Sequence, residues 1–279
     1  MDGLLAGAHA LVTGGGTGIG YGIARALVRA GAVVTIAGRR KEVLVDAVAR
    51  LQADGPAHAV RVAVCDVTVA DEVAAAVATA AAPDGSLDIA VANAGSAVPG
   101  PFLLLDDRGW RACCELNIIG TASTFRHAAL RMTRGGSLIA ISTAASSAPE
   151  VAMSAYTATK AAVDMMVKAA AWELGAKNIR VNAIQPGFVA TEAVERSFSD
   201  ELAADLRARS ALGRSGEPDD IAATVLHLVG PGGRWITGQV IGVDGGMSVQ
   251  PMGDLSEISA RLYGAEAVAE ALGRQARQR

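Results

Sequence analysis

The sequence predicts an α/β fold: one parallel sheet of about seven strands, doubly wound, with helices on both faces. Three observations predict it. Short β-branched apolar runs alternate with longer Ala-rich helical stretches from His9 to Val243. Strands buried on both faces and joined by helical crossovers read this way. The glycine-dense Thr13-Gly14-Gly15-Gly16-Thr17-Gly18-Ile19-Gly20 lies between the first strand-like run and the first helical one. The chain has 279 residues, 51% of them hydrophobic, which suits one large domain with ample core.

The elements follow in order. His9–Thr13 is an apolar run that ends at the glycine turn, hence a strand, and Ile19–Ala30 is the helix that leaves it. Val33–Ala37 is rich in β-branched residues and reads as a strand. Glu42–Ala53 is a helix with Gly55-Pro56 after it, Ala59–Val64 a strand, and Ala70–Ala82 a helix ending at Pro83. Ile89–Ala92 is a strand. Asp106–Met132 holds a long helix, with Gly109 and Gly120 as the weak points where it would bend. Ser137–Ile141 is a strand, Ser154–Leu174 a helix stopped by Gly175, and Arg180–Ile184 a strand. Pro218–Val229 is a helix and Val240–Val243 the last strand. Repeated βα units of this kind make a single-domain Rossmann-type sheet.

Two segments break the rhythm. Gly187–Gly216 is long and polar for a strand-to-helix connection, and such loops are usually functional or disordered. Pro251–Arg279 follows the last strand, holds a helix around Ala265–Leu272 and ends in a basic run from Arg274 to Arg279. It is either a frayed tail or a helix packed over a pocket, its own or a neighbour's. The division expected is a nucleotide-binding and catalytic domain over residues 1–250 and an extension over 251–279.

Composition excludes several classes. A net charge of −3 and a pI near 5.8 give no reason to expect nucleic acid or an anionic membrane as partner. Cys65, Cys113 and Cys114 are odd in number with two adjacent, which points to a reducing compartment rather than a disulfide framework. His9, His58, His127 and His227 lack metal-ligand spacing. No apolar run reaches the roughly 20 residues that a membrane span needs, and the N-terminus lacks the layout of a signal peptide. A cytoplasmic protein is expected.

The glycine turn suits a phosphate. Gly14, Gly18 and Gly20 allow a tight turn and close approach of a pyrophosphate to the backbone, and Thr17 and Ile19 lie among them at the helix start. The helix N-terminus adds free N–H donors. After the second strand come Gly38-Arg39-Arg40, where NAD-preferring folds usually carry an acidic residue. Arginine grips a ribose phosphate bidentately, which favours NADP(H) over NAD(H). The alternative is that Arg39 and Arg40 are the solvated start of a helix. Asp66, after the third strand, is placed to accept from the adenine amino group. Asn93-Ala94-Gly95, after the fourth, lets backbone approach the ribose and nicotinamide half, with an Asx turn as the other reading of Asn93.

Tyr156 and Lys160 stand four apart on one helix and share a face. A phenol titrates near 10, and a neighbouring ammonium lowers that value. The pair makes a tuned acid/base for the hydroxyl proton that moves as alcohol and ketone interconvert.

In this order, Thr13-Gly14-x-x-x-Gly18-x-Gly20, Asp66-Val67, Asn93-Ala94-Gly95, Asn117, Tyr156-x-x-x-Lys160, and Pro186-Gly187 with Thr191 resemble the short-chain dehydrogenase/reductase family. The resemblance runs from about His9 to Met247. It implies that Tyr156 is the catalytic acid/base, that Lys160 lowers its pKa and binds the nicotinamide ribose, and that Asn117 holds a water of a proton relay. Pro186, Gly187 and Thr191 would cover the nicotinamide and pyrophosphate, and backbone from Ile184 to Val189 would fix the carboxamide. The family usually has a serine just past the fifth strand. Thr143 stands there, with Ser142 as the weaker candidate. A threonine hydroxyl makes the same hydrogen bond, though its methyl stiffens χ1.

The expected activity is NAD(P)(H)-dependent interconversion of a secondary alcohol and a ketone. The alternatives are reduction of an enoyl thioester on the same fold, or a non-catalytic nucleotide-sensing protein. The expected pocket loops, Ser96–Leu105, Ala144–Met153 and Phe188–Leu212, are mostly small or apolar, with Glu150, Glu192, Glu195 and Arg196 as charged exceptions. The resemblance also implies a homotetramer or dimer, packed through the helices at Asp106–Met132 and Ser154–Leu174.

Overall fold

A computed structural model of the chain describes residues 3–54, 59–251 and 253–273. Gly55-Pro56, His58 and the basic end over 274–279 lie outside the described residues, as does the Glu195 side chain. Seven strands form one sheet in the order β3-β2-β1-β4-β5-β6-β7. They are β1 (His9–Thr13), β2 (Val33–Gly38), β3 (Val60–Val64), β4 (Ile89–Ala92), β5 (Gly136–Ile141), β6 (Ile179–Pro186) and β7 (Val240–Val243). Every pairing is parallel. Strand order reverses between β1 and β4, so the crevice at their carboxyl ends is the place for a ligand.

Successive strand residues face opposite layers. Ala10 and Val12 of β1 point into one layer with α1 (Gly18–Arg29), α2 (Lys41–Leu51) and α9 (Pro218–Val229), around Ile23, Leu27, Leu44 and Val225. Leu11 points into the other, with α3 (Ala70–Ala80), α5 (Gly120–Arg131) and α6 (Ser154–Leu174), around Val77, Phe125 and Val167. Each fully buried Leu or Ile contributes about 1.5–3 kcal/mol relative to exposure, so both layers hold the sheet that carries the site.

The long helix expected over Asp106–Met132 is three pieces: α4 (Asp107–Cys113), a π-helical turn (Cys114–Ile119) and α5. Asp106 caps α4 by accepting from the Gly109 N–H at 2.9 Å. The break is therefore the π turn and neither glycine. Gly120 serves packing instead, since a Cβ there would fall 2.7 Å from Val67 Cγ2.

The connection after β6 is not a bare loop. It holds α7 (Glu192–Ser197) and α8 (Asp200–Ala208), capped by Thr191 and Ser199 side chains that accept from the Val194 and Leu202 N–H groups. Polar caps beside short amphipathic stretches read as loop composition in the sequence, which is why these helices escape it. Residues from Val249 onward form a second compact unit. Within it α10 (Ser256–Tyr263) packs on α11 (Ala265–Ala271), joined at Gly264, whose φ is 87°. The helix expected near Ala265 is α11; α10 was not foreseen. Among the described residues no helix is long and apolar enough to cross a membrane.

Candidate active site

The turn from β1 to α1 depends on its glycines. Gly14 and Gly18 have φ of 64° and 52°, which side-chain-bearing residues rarely adopt. A Cβ on Gly20 would overlap the Gly14 carbonyl oxygen. Asn93, just past β4, braces this turn: its Nδ2 donates to the Thr13 and Gly14 carbonyls at 3.0 and 3.2 Å. Thr13 Oγ1 in return accepts from the N–H groups of Asn93 and Ala94. Asn93 is thus a cross-strand strut rather than an Asx turn. Thr17 occupies the N-cap of α1 without capping it through its side chain, so the first helical N–H groups face the crevice.

Two of the cavities along the carboxyl edge meet at the glycine turn. The smaller, about 270 Å³, is lined by Gly14, Thr17, Gly38, Arg39, Arg40, Asp66, Val67, Ala94 and Gly95. Among the described residues neither arginine forms a salt bridge. The Asp66 carboxylate is held below its ordinary pKa, first by the Thr68 N–H, then by the Thr68 hydroxyl and by Arg39. The larger cavity, about 600 Å³, brings together Gly14, Thr17, Gly18, Ile19, Gly20, Asn93, Gly95, Thr143, Tyr156, Lys160, Pro186, Gly187, Val189 and Thr191. The glycine cradle, the uncapped helix start and the two arginines suit a dinucleotide phosphate backbone.

Lys160 is buried, and its Nζ donates to the Ile141 carbonyl at 2.7 Å. Burial pulls its pKa down to about 8, with Asp164 opposing. Its Nζ lies 5.9 Å from the centre of the Tyr156 ring. The expectation that Lys160 depresses the phenol is corrected here. The Tyr156 pKa is raised, first by burial and then by Glu150 and Cys113, against a hydrogen bond with Thr143. Burial is the largest cause, and the Lys160 ammonium donates to the Ile141 carbonyl. Thr143 sits where β5 ends, its own hydroxyl also accepting from the Ala145 N–H at 3.3 Å. Ser142 is buried and donates to the Lys160 carbonyl instead, at 3.4 Å.

Asn117 lies in the π turn, fully buried, and lines neither cavity. Its Oδ1 accepts from the Ser96 N–H at 3.1 Å, while Nδ2 donates to the Ser96 carbonyl and Thr159 Oγ1, both at 3.0 Å. The extra residue of a π turn swings one side chain inward, and such turns recur at functional sites. Between Asn117 and Lys160 stands Gly95, where a Cβ would fall 3.0 Å from Asn117 Oδ1 and 3.2 Å from Lys160 Nζ. A side chain there would separate them.

Sequence reasoning missed a polar network. Gln185 on β6 reaches Ser146 Oγ, Ser147 Oγ and Asp164 Oδ2 at 2.6, 2.9 and 2.9 Å through Nε2. Ser146 Oγ donates to the Thr143 carbonyl at 2.7 Å. Gln185 therefore ties the Thr143 turn to the helix of Tyr156 and Lys160. Its signal is an amide at the carboxyl end of a largely apolar strand. Replacing buried Gln185 with Leu removes its bonds to half-buried Ser146 and Asp164 and exposed Ser147, and a loss of about 1 kcal/mol is expected. The measurement is a denaturant melt beside steady-state kinetics: kcat drops severalfold while nucleotide affinity holds. Unchanged kcat would remove Gln185 from the site. Phe198, Leu206 and Met247 also line the larger cavity; the first two fall within the expected pocket segment Phe188–Leu212.

Comparison with known proteins places this geometry. The family model described as "Enoyl-(Acyl carrier protein) reductase" matches residues 14–248. The cis-4-hydroxycyclohexanecarboxylate dehydrogenase of Sinomonas cyclohexanicum is 37% identical over 240 residues, 85% of this chain and 95% of that protein. A short-chain type dehydrogenase/reductase from Mycobacterium ulcerans superposes with a TM-score of 0.85 at 38% identity, covering 96% of this chain and 98% of its own. A 7α-hydroxysteroid dehydrogenase complexed with NADH and 7-oxo glycochenodeoxycholic acid superposes with a TM-score of 0.82 at 33% identity, covering 88% and 96%. With its sheet order, glycine turn and Tyr156/Lys160 pair, the chain belongs to the short-chain dehydrogenase/reductase family, whose members use NAD(H) or NADP(H).

Proposed function

We propose that the chain is an NAD(P)(H)-dependent oxidoreductase that interconverts a secondary alcohol and a ketone, with NADP(H) favoured. One observation carries the reading: Thr143, Tyr156 and Lys160 line the same cavity as the glycine cradle. Two hydroxyls in one cavity wall suit a carbonyl oxygen. A nicotinamide, when bound, supplies or takes the hydride.

The chain's own residues do the rest. Thr143 and Tyr156 hydrogen-bond the substrate oxygen, and Tyr156 gives its proton to that oxygen as charge develops. Burial keeps the phenol protonated at neutral pH, the form that ketone reduction requires. Lys160, still charged at pH 7, and Asn117 restore the proton through water, with Gly95 leaving the gap between them open. Arg39 and Arg40 would hold the ribose phosphate of NADP(H), and Asp66 the adenine. Pro186, Gly187, Val189 and Thr191 would cover the nicotinamide half. The apolar lining favours a mid-sized, largely apolar substrate, and the related enzymes named for ring alcohols support a cyclic one. Exposed Met165 and Trp172 on α6 support assembly of copies through that helix. Unpaired cysteines support a cytoplasmic setting.

Reduction of an enoyl thioester is the second reading, favoured by the description of the matching family model. Cyclic ketones and enoyl thioesters offered with NADPH and NADH in parallel separate the two. The expected result is ketone-dependent oxidation of NADPH, and an Arg39→Asp variant that loses about tenfold or more of its NADPH preference. Enoyl reduction alone would overturn the carbonyl assignment. A preference for NADH in the unaltered chain would overturn the role of Arg39. Nucleotide binding without turnover of either class would favour a sensor.

A further inference from the structure

We propose that the substrate cavity selects uncharged or cationic alcohols and ketones and rejects those bearing a carboxylate, with Glu150 and Glu192 as the selecting residues. This rests on the oxidoreductase reading above and names its substrate class. Both carboxylates line the cavity, and they come from separate elements. Glu150 belongs to the connection between β5 and α6, and Glu192 opens α7. Lys160 is the only lining cation among the described residues. It is 4% exposed and bonded to the Ile141 carbonyl. Arg196, one turn beyond Glu192, donates its Nε–H to the Glu192 carbonyl at 2.9 Å and does not line the cavity.

Among the described residues the remaining wall around the reacting end carries no second cation. Met153, Phe188, Phe198, Leu206 and Met247 are apolar, and the Phe188 and Phe198 rings stack at 5.9 Å. The charge of Glu150 is felt at the reaction centre, where it pushes the Tyr156 phenol up. An anionic substituent entering this space meets like charge with no counter-ion, whereas an ester, amide or ammonium does not. Like charges about 6–8 Å apart at a partly wet site cost roughly tenfold in binding.

The test compares kcat/KM for 4-oxocyclohexanecarboxylate, its methyl ester and 4-aminocyclohexanone. The unaltered chain, Glu150→Gln, Glu192→Gln and the double variant are assayed with each nicotinamide at low and high salt. Expected is an ester-to-carboxylate ratio of about tenfold or more, with the amine at least matching the ester. That ratio shrinks in the double variant through a gain on the carboxylate, and shrinks with salt because exposed charges are screened. A carboxylate that matches the ester in the unaltered chain would overturn the proposal, as would a ratio indifferent to both substitutions. Turnover of none of the three with either nicotinamide would count against the oxidoreductase reading itself, and the selection would go with it.

Discussion

Replacing Tyr156 with Phe is expected to cut ketone turnover by about 10²–10⁴-fold, the range of a general acid, while NADPH affinity changes little. The ring stays, so Lys160 keeps its neighbour at 5.9 Å and the cavity wall keeps its shape. Only the phenolic hydroxyl goes. The glycine cradle, Arg39 and Arg40 are untouched. Stopped-flow hydride transfer with nucleotide titration by fluorescence reads both quantities. Turnover within threefold of the unaltered chain would end the assignment of Tyr156.

Replacing Lys160 with Met is expected to abolish most turnover and also to change how stability depends on pH. The Lys160 pKa falls from an ordinary 10.5 to about 8 in the folded chain. Between those values the unfolded chain holds a proton that the folded chain has released, so this residue makes stability rise with pH there. Below pH about 8 both states are protonated, and burying the ammonium costs roughly 3 kcal/mol at all lower pH. Above 10.5 the cost vanishes. Lys160→Met removes that slope: the variant gains stability at pH 7 relative to the unaltered chain, and the gain fades by pH 10. Denaturant midpoints at several pH values, without nucleotide, measure it. Parallel pH slopes in both proteins would show that the ammonium is not desolvated. The cost would persist because the site needs a cation there.

Much of this was legible in the residues. His9–Thr13, Ile89–Ala92, Ser154–Leu174, Pro218–Val229 and Val240–Val243 fall at the expected positions, because apolar period and terminal Gly or Pro locate buried elements well. Glycine density at one junction announced the cradle. What stayed hidden has physical causes. The π turn that turns Asn117 inward is a backbone event with no composition of its own. Helices α7 and α8 are short and exposed, so no apolar stripe marks them. The direction of the Tyr156 shift depends on how much water is excluded around the phenol, and spacing along a helix carries no information on that. Gln185 was visible as an oddity, but its three oxygen partners come from the β5–α6 connection and α6.

The reversal of strand order between β1 and β4 gives the molecule a division of labour. The arginines and Asp66 line a space on one flank, the hydroxyls and carboxylates line another, and the two share only the glycine turn and the Ala94–Ser96 backbone. Alterations at distant sites without common partners combine additively. On the proposed roles, nucleotide choice and substrate choice would be separately adjustable in this chain. Descent could exchange either one in small steps without rebuilding the other.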